Sequence, residues 1–346
     1  MRRIMGLKTT AALVLLLAAG RAGAAEGEQR VLELGKYYKS AETGLNVTQS
    51  AYSDNWRGGD RGSLVWTWNF NGSLESQLNA KTNWLSQLKL AFGQTHQQSG
   101  QPGARNWDKP EKSTDLVDLE SILRFTLGGY VDPFVSGRLE SQFLDASDAH
   151  GRNLFLNPLQ FKESAGIARQ FIGEEERSLL SRLGFTLRQS RRSVYTDTDD
   201  SDGLADGTSS EGTTDGGLEF ITDYKTRILE EKVAWTAKLG FYQPLFFSGK
   251  SDLEAAELAA AGLDPDLADF STALDIDWEN IFSAAITKHL AVNLYLRWAY
   301  DRYDNSVKPE LGEAGELLNA EAVGAAVRKA GQFKQTLSLG FNYRLF

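Results

Sequence analysis

Residues 63–79 read SLVWTWNFNGSLESQLN, and from Leu64 onward apolar and polar side chains alternate without a break. The apolar side carries Leu64, Trp66, Trp68, Phe70, Leu74 and Leu78, with Gly72 and Ser76 in the same register. The opposite side is polar except for Val65. A period of two is typical of an extended strand, which here is roughly 50 Å long. Because a row of tryptophan and phenylalanine is unfavourable against water, the pattern predicts a membrane-spanning strand with its apolar side facing lipid.

The rest of the chain repeats this alternation and gives about twelve strands. They are predicted near residues 44–52, 64–79, 84–95, 117–127, 135–143, 159–172, 179–188, 218–228, 233–241, 274–286, 290–300 and 333–345. The connections alternate in length. Short connections lie near 79–83, 130–133, 173–177, 229–232 and 288–289, and long ones near 97–113, 146–158, 191–217, 244–270 and 303–330. This asymmetry is typical of an outer-membrane barrel with short periplasmic turns and long outer loops, so the predicted fold is an all-β, up-and-down antiparallel transmembrane barrel.

One strand departs from the pattern. In Leu159–Ile172, Glu163 and Arg169 share a register with apolar side chains. A lipid-facing arginine at the bilayer midplane costs about 2–4 kcal/mol. The sequence therefore predicts a β-bulge or a register shift in this strand, at a position that the pattern does not fix.

The composition excludes several classes of protein. The 346 residues include no cysteine, which excludes disulfides, thiol catalysis and lipid attachment through an N-terminal cysteine. The net charge is −9, and the first 24 residues carry four basic side chains and no acid, which leaves −13 for the remainder. This acidity argues against a nucleic-acid partner. The mean hydropathy of −0.35 and the lack of a long apolar run after the N-terminus exclude a helical membrane protein.

The N-terminus has the features of an export signal. Residues 1–24 combine basic residues, an apolar core and the small-residue site Ala22-Gly23-Ala24, and they predict a cleaved signal peptide. Residues 25–42 are polar and are predicted to be a periplasmic lead-in, which leaves 43–346 for the barrel. The predicted location is the bacterial outer membrane.

Two stretches resemble known proteins. Gly44–Gln49, Asn55–Gly59, Trp84 with Leu88–Gly93, and Lys112–Asp115 are similar to the domain of unknown function 3078 family, over about residues 44–143. This resemblance implies an outer-membrane barrel of unknown role and supplies no catalytic residues. The C-terminal stretch Ser338–Leu345 resembles the assembly signal of outer-membrane barrels, although Phe346 lies one residue past the matching register. It implies that the barrel assembly machinery is a partner during insertion.

The predicted inward faces carry charges of both signs: Lys89, Glu120, Arg124, Arg138, Glu140, Arg182, Arg188, Lys225, Arg227, Asp275, Asp277, Glu279 and Arg297. Two interpretations are open, a solute pathway with charge-dependent selectivity and a plug of internal ion pairs. We select as lumen site candidates Arg124, Arg138, Glu140, Arg188, Asp275, Asp277, Glu279 and Arg297. Asp275, Asp277 and Glu279 form either a cation-favouring patch toward the outer mouth or ion pairs with Arg297.

Enzymatic and metal sites are weakly supported. His96 with Ser99, and His150 near Asp145 and Asp148, are the nearest approaches to a rim-sited hydrolase. Asp200–Asp206 has partial calcium-loop spacing and lacks a closing glutamate. A solvated loop is the favoured interpretation of each, so we expect no enzyme, no metal and no cofactor.

The outward-facing tryptophans Trp66, Trp68, Trp84, Trp235, Trp278 and Trp298 are predicted to contact outer-membrane lipid, mainly as interfacial anchors. The predicted function is passive passage of a small polar or charged solute. The alternatives are a non-conducting barrel with partner-binding loops or a role in envelope integrity, and a rim-sited hydrolase. The sequence does not specify the solute or the oligomeric state.

Overall fold

A computed structural model describes residues 32–52, 61–100, 105–146, 152–174, 176–196, 207–254, 258, 261–313 and 315–345. The predicted signal peptide, the Asp200–Asp206 loop, Asp148 and His150 lie outside the described residues.

Twelve strands close into one antiparallel barrel. Their bounds are β1 Tyr37–Ser50, β2 Ser63–Asn79, β3 Thr82–Ser99, β4 Glu111–Phe125, β5 Asp132–Ser141, β6 Leu159–Gly173, β7 Ser178–Thr196, β8 Gly207–Ile228, β9 Val233–Phe247, β10 Asp275–Ala285, β11 Leu290–Tyr300 and β12 Gln332–Arg344. Each strand pairs with the next along the chain, and β12 pairs with β1 to complete the ring. The predicted fold class and strand count are confirmed. Closure leaves no unpaired edge in lipid, where water cannot satisfy backbone groups.

Two predicted boundaries are wrong. β1 begins at Tyr37, so the strand includes residues that were assigned to the lead-in, because the segment from Tyr37 to Thr43 pairs continuously with Phe70–Ser76 of β2. The predicted loop Arg191–Gly217 is mostly a hairpin, in which Arg191 pairs with Gly212 and Thr196 with Gly207. This hairpin extends beyond the last pair of β7 with β6, at Arg191 and Leu159. Both of its faces are polar, so it carries no period-two signal.

The predicted irregularity in β6 lies at Phe171. Leu179 of β7 pairs with Ile172 and Leu180 pairs with Gln170, so that Phe171 is the extra residue of a bulge. Arg169 is held near the short-connection end, where its guanidinium lies 3.3 Å from the Tyr130 ring centroid and donates to the Tyr130 carbonyl oxygen at 2.8 Å. This position keeps the arginine away from the middle of the apolar band.

The outer face of the barrel is mainly apolar, and some of its tryptophans donate their N–H groups to side chains of neighbouring strands. Trp68 Nε1 donates to Thr43 Oγ1 at 3.0 Å, and Trp84 Nε1 donates to Ser121 Oγ at 2.9 Å. Trp278 pairs directly across strands with Trp298, and both are exposed on the outside. Because lipid offers an indole N–H no partner, these bonds suit an exterior that faces acyl chains.

Two long outer connections pack together into a loop cap, formed by the described residues of 248–274 and 301–331. Its buried core consists of Leu253, Leu258, Leu267, Ala268, Phe270, Tyr303, Val307, Val323 and Ala326, packed with Phe247 at the end of β9. The helices here are short: the 3-10 turn Ser251–Glu254, α1 Leu267–Phe270 and α2 Ala320–Ala326. Within the described chain, no helix has the length and apolar character needed to cross a membrane.

Candidate functional site

The lumen is asymmetric, and one side of it is filled by ion pairs. We call the inward face of β4–β9 the ion-paired wall. Glu120 of β4 lies 2.8 Å from Arg182 of β7 and 3.9 Å from Lys238 of β9. These strands are not neighbours in the sheet, so the side chains bridge across the curve of the lumen. Glu120 is only 9% exposed and Arg182 only 5%, which shows that this part of the interior is packed.

A second cluster continues the ion-paired wall on β4, β5 and β6. Arg138 donates from Nε to Asp118 Oδ1 at 2.7 Å and from Nη2 to Asp118 Oδ2 at 2.9 Å, a bidentate pair. The same guanidinium lies 3.0 Å from Glu140, and Glu140 also pairs with Lys162. Two of the predicted lumen charges, Arg138 and Glu140, are therefore brought together, and their charge is balanced locally.

A third cluster lies toward the long-connection end. Arg188 of β7 lies 2.7 Å from Asp215 of β8 and 3.2 Å from Asp275 of β10. Tyr242 donates to the same Asp215 carboxylate at 2.5 Å, and its ring centroid is 3.8 Å from the Arg188 guanidinium. The predicted candidates Arg188 and Asp275 thus meet across β8 and β9.

The other predicted lumen residues occupy separate places. Arg297 binds Asp277 through two bonds of 2.9 and 2.8 Å, and this pair is about half exposed. Glu279 accepts a hydrogen bond from Tyr295 at 2.9 Å. Arg124 lies toward the short-connection end, where it donates to Gln170 at 3.1 Å. Of the three acids, Asp277 forms the ion pair with Arg297 that the sequence left open as the alternative to a cation-favouring patch. Asp275 lies beside Arg188 instead, and Glu279 beside Tyr295.

The opposite side of the lumen is open. We call the inward face of β12, β1, β2 and β3 the open wall. Along these strands, inward side chains alternate with outward ones such as Phe70. The inward side chains of Ser40, Asn71, Gln87 and Thr336 are all exposed, although they point toward the barrel axis. Hydroxyl and amide groups predominate here. The inward groups of this wall are exposed, whereas the charges of the ion-paired wall are packed.

The loop cap is tied to the β7–β8 hairpin and to the rim. The backbone N–H of Ser248 donates to the Thr214 carbonyl at 2.8 Å, and the Thr214 N–H donates to Ser248 Oγ at 2.9 Å. Farther out, Glu211 hydrogen-bonds Glu310 of the cap. Burial raises the pKa of Glu211 to about 7, and the hydrogen bond and charge of Glu310 act in the same direction. These contacts join the loop cap to the end of the barrel that carries the long connections.

The described residues do not show the side-chain arrangement that a rim-sited hydrolase or a metal site would need. Ser99 Oγ donates to Asp108 at 2.5 Å, and no hydrogen bond links it to His96 among the described residues. Asp145 accepts a hydrogen bond from Asn157 at 2.6 Å. In the part of the chain that the structure describes, no group of three or more His, Cys, Asp or Glu side chains is placed to hold a metal ion.

Six residues of these clusters were not among the predicted lumen charges, namely Asp118, Lys162, Asp215, Asp223, Lys238 and Tyr242. Asp118, Lys162 and Lys238 each lie an even number of positions from other inward residues of the same strand. The alternation of side chains therefore assigns them to the lumen when it is applied to every residue. Asp215 lies within the stretch that was predicted to be a loop, so the sequence analysis assigned it no face, although it pairs with Arg188 inside the barrel.

Comparison with known proteins supports the family resemblance over part of the chain. Residues 47–146 match the model of a family described as a protein of unknown function, DUF3078. The resemblance is confirmed over this stretch. The matched stretch runs from the second half of β1 to just past β5 and covers less than half of the chain. No curated protein matches this chain.

Solved outer-membrane barrels are similar to this chain at low identity. The COG4313 outer membrane channel from Pseudomonas putida F1 is 13% identical with a TM-score of 0.38, and 93% of this chain and 98% of that chain are covered. The translocator domain of the autotransporter NalP from Neisseria meningitidis is 8% identical with a TM-score of 0.34, covering 89% and 88%. The β domain of the Bordetella autotransporter BrkA is 13% identical with a TM-score of 0.31, covering 88% and 98%.

Proposed function

We propose that this membrane barrel is a passive channel of the bacterial outer membrane for small polar solutes. The observation that carries the proposal is the open wall, whose inward Ser40, Asn71, Gln87 and Thr336 side chains are exposed inside a closed ring of strands. A barrel that served only as an anchor has no need of an exposed polar interior. Channel selectivity in such pores follows from the groups that line them.

The outer membrane is the location that suits the chain. The proposal is supported by the predicted signal peptide, which is expected to direct export, and by the resemblance of Ser338–Leu345 at the end of the chain to an assembly signal. The alternation of short and long connections follows the pattern of outer-membrane barrels. Lipid is the partner of the outer face, and a small solute is the partner of the lumen.

The purified protein, refolded into a planar lipid bilayer, is expected to give stepwise currents. Asn71→Trp places a bulky ring on the open wall and is expected to lower the step size at least about twofold, because pore-lining residues set the free cross-section. Leu74→Trp is the matched control on the same strand. Its ring faces outward, so the step size is expected to stay unchanged.

Absence of current from correctly folded protein would remove the channel proposal. It would favour the second candidate function, a non-conducting barrel, which is supported by the buried charges of the ion-paired wall and by the ordered loop cap. Equal effects of the two tryptophan variants would show instead that the current does not pass along the open wall.

A further inference from the structure

Four asparagine side chains form a continuous amide surface on the inward side of β11, β12, β1 and β2. We call it the amide belt: Asn293, Asn342, Asn46 and Asn69, with Ser338 between them. Asn293 Nδ2 donates to Asn46 Oδ1 at 3.2 Å, and Ser338 Oγ donates to the same oxygen at 3.2 Å. The belt is partly exposed to the lumen.

Two glycines allow these amides to lie flat against the wall. A Cβ atom at Gly44 would lie 2.5 Å from Asn69 Oδ1 and 2.6 Å from Asn342 Oδ1, closer than real Cβ contacts allow. A Cβ atom at Gly340 would lie 2.5 Å from both Asn293 Nδ2 and Asn46 Oδ1. The amides thus occupy space that a side chain would fill at any other residue type. As a result, this wall presents amide faces and edges without projecting into the lumen.

The chemistry of the belt favours uncharged hydroxylated solutes. Each primary amide has two N–H donors and a carbonyl acceptor with two lone pairs, so bonds within the belt leave capacity for a solute. A hydroxyl group both donates and accepts, and it matches such a surface at little desolvation cost. Ionic solutes gain less, because the belt itself carries no charge and many charges of the opposite wall are already paired, as in Glu120 with Arg182.

We propose that the amide belt is the selectivity surface of the channel and that it passes uncharged polyhydroxylated solutes of the sugar class. This inference rests on the proposed channel function and names its substrate class. Asn46, Asn69, Asn293 and Asn342 are the residues that determine this specificity.

The test combines liposome swelling with conductance in potassium chloride. For the unmodified protein, swelling in a neutral hexose is expected to be faster than in a hexose-sized anion or cation. The double variant Asn69→Leu with Asn342→Leu keeps side-chain size and removes the amides. It is expected to slow hexose entry about two- to tenfold, the effect of losing one or two net hydrogen bonds. Potassium chloride conductance is expected to change less than hexose entry.

Gln160→Met is the matched control, an inward amide replaced by a thioether on the ion-paired wall, and it is expected to leave both measurements unchanged. Asn342→Asp keeps the shape of the side chain and adds a charge, so it is expected to shift the reversal potential in a salt gradient toward cation preference. If the leucine variants fail to fold, Asn342→Asp provides the test of the amide belt.

The outcomes separate this inference from the proposed function. Conductance with unchanged hexose entry in the leucine variants, equally fast entry of charged solutes, or an unshifted reversal potential in Asn342→Asp would each overturn the role of the belt and leave the channel standing. Loss of both current and swelling in the unmodified protein would overturn the two together.

Discussion

Replacing Glu120 with glutamine is expected to lower the free energy of unfolding by about 3–5 kcal/mol, the typical cost of removing one partner of a buried ion pair. The variant leaves Arg182 without its 2.8 Å partner and removes the carboxylate that lies 3.9 Å from Lys238. Arg182 then keeps the more distant Asp223, at 3.5 Å. The measurement is a urea titration of the folded barrel in detergent micelles, followed by the fluorescence of its eight tryptophans.

Asp277→Asn is the matched control, since it also neutralises a carboxylate that binds an arginine in the lumen. The Asp277–Arg297 side chains are 51% and 47% exposed, so water screens the loss. The expected change is within about 1 kcal/mol. Similar losses for Glu120→Gln and Asp277→Asn would contradict a packed ion-paired wall. A second test adds Arg182→Met to Glu120→Gln, which should recover much of the lost stability because the uncompensated charge is removed.

Phe70→Arg is expected to lower stability by about 2–4 kcal/mol, the cost of arginine on the lipid face near the bilayer midplane. Phe70 is the eighth of the seventeen residues of β2 and pairs with Thr43 and Leu90 on the outer face. Its replacement puts a guanidinium into the acyl region with no water to solvate it. The measurement is urea unfolding of the barrel in lipid vesicles, where the apolar environment has a defined thickness.

Asn71→Arg is the control for the lipid-facing variant, one residue along the same strand. Its side chain faces the lumen and is exposed there, so the guanidinium stays in water and stability is expected to change little. If Asn71→Arg destabilised the protein as much as Phe70→Arg, the assigned faces of β2 would be wrong.

The fold could be predicted from the sequence wherever the membrane imposes alternation. β2 is the clearest case, since every second residue from Leu64 to Phe70 must be apolar against lipid. The hairpin at 191–212 was not predicted from the sequence because it projects beyond the neighbouring strands. Both of its faces contact water, so its side chains need not alternate between apolar and polar. The packing of the two connections into the loop cap was not predicted either. Its core joins Leu267 to Val323 across 56 residues, a contact that no local pattern encodes.

The sequence predicted which charged residues face the lumen better than it predicted which ion pairs they form. Alternation assigned Arg138, Glu140, Arg188 and Asp275 to the inward faces, and in the structure they take part in the ion pairs described above. The partners of Arg188 could not be predicted, because Asp275 lies three strands away and Asp215 was assigned to a loop. The open wall could not be predicted either, since the sequence gives the parity of a side chain and not how much space lies in front of it.

Thiol labelling along β2 tests the central claim most directly, which is that alternate residues face lipid and a water-filled lumen. The chain has no cysteine, so each single-cysteine variant reports on one position. In lipid vesicles, a membrane-impermeant maleimide is expected to label Thr67→Cys, Asn69→Cys and Asn71→Cys, and to spare Trp66→Cys, Trp68→Cys and Phe70→Cys. Labelling that ignores the parity of the residue, or that favours the second set, would contradict the account.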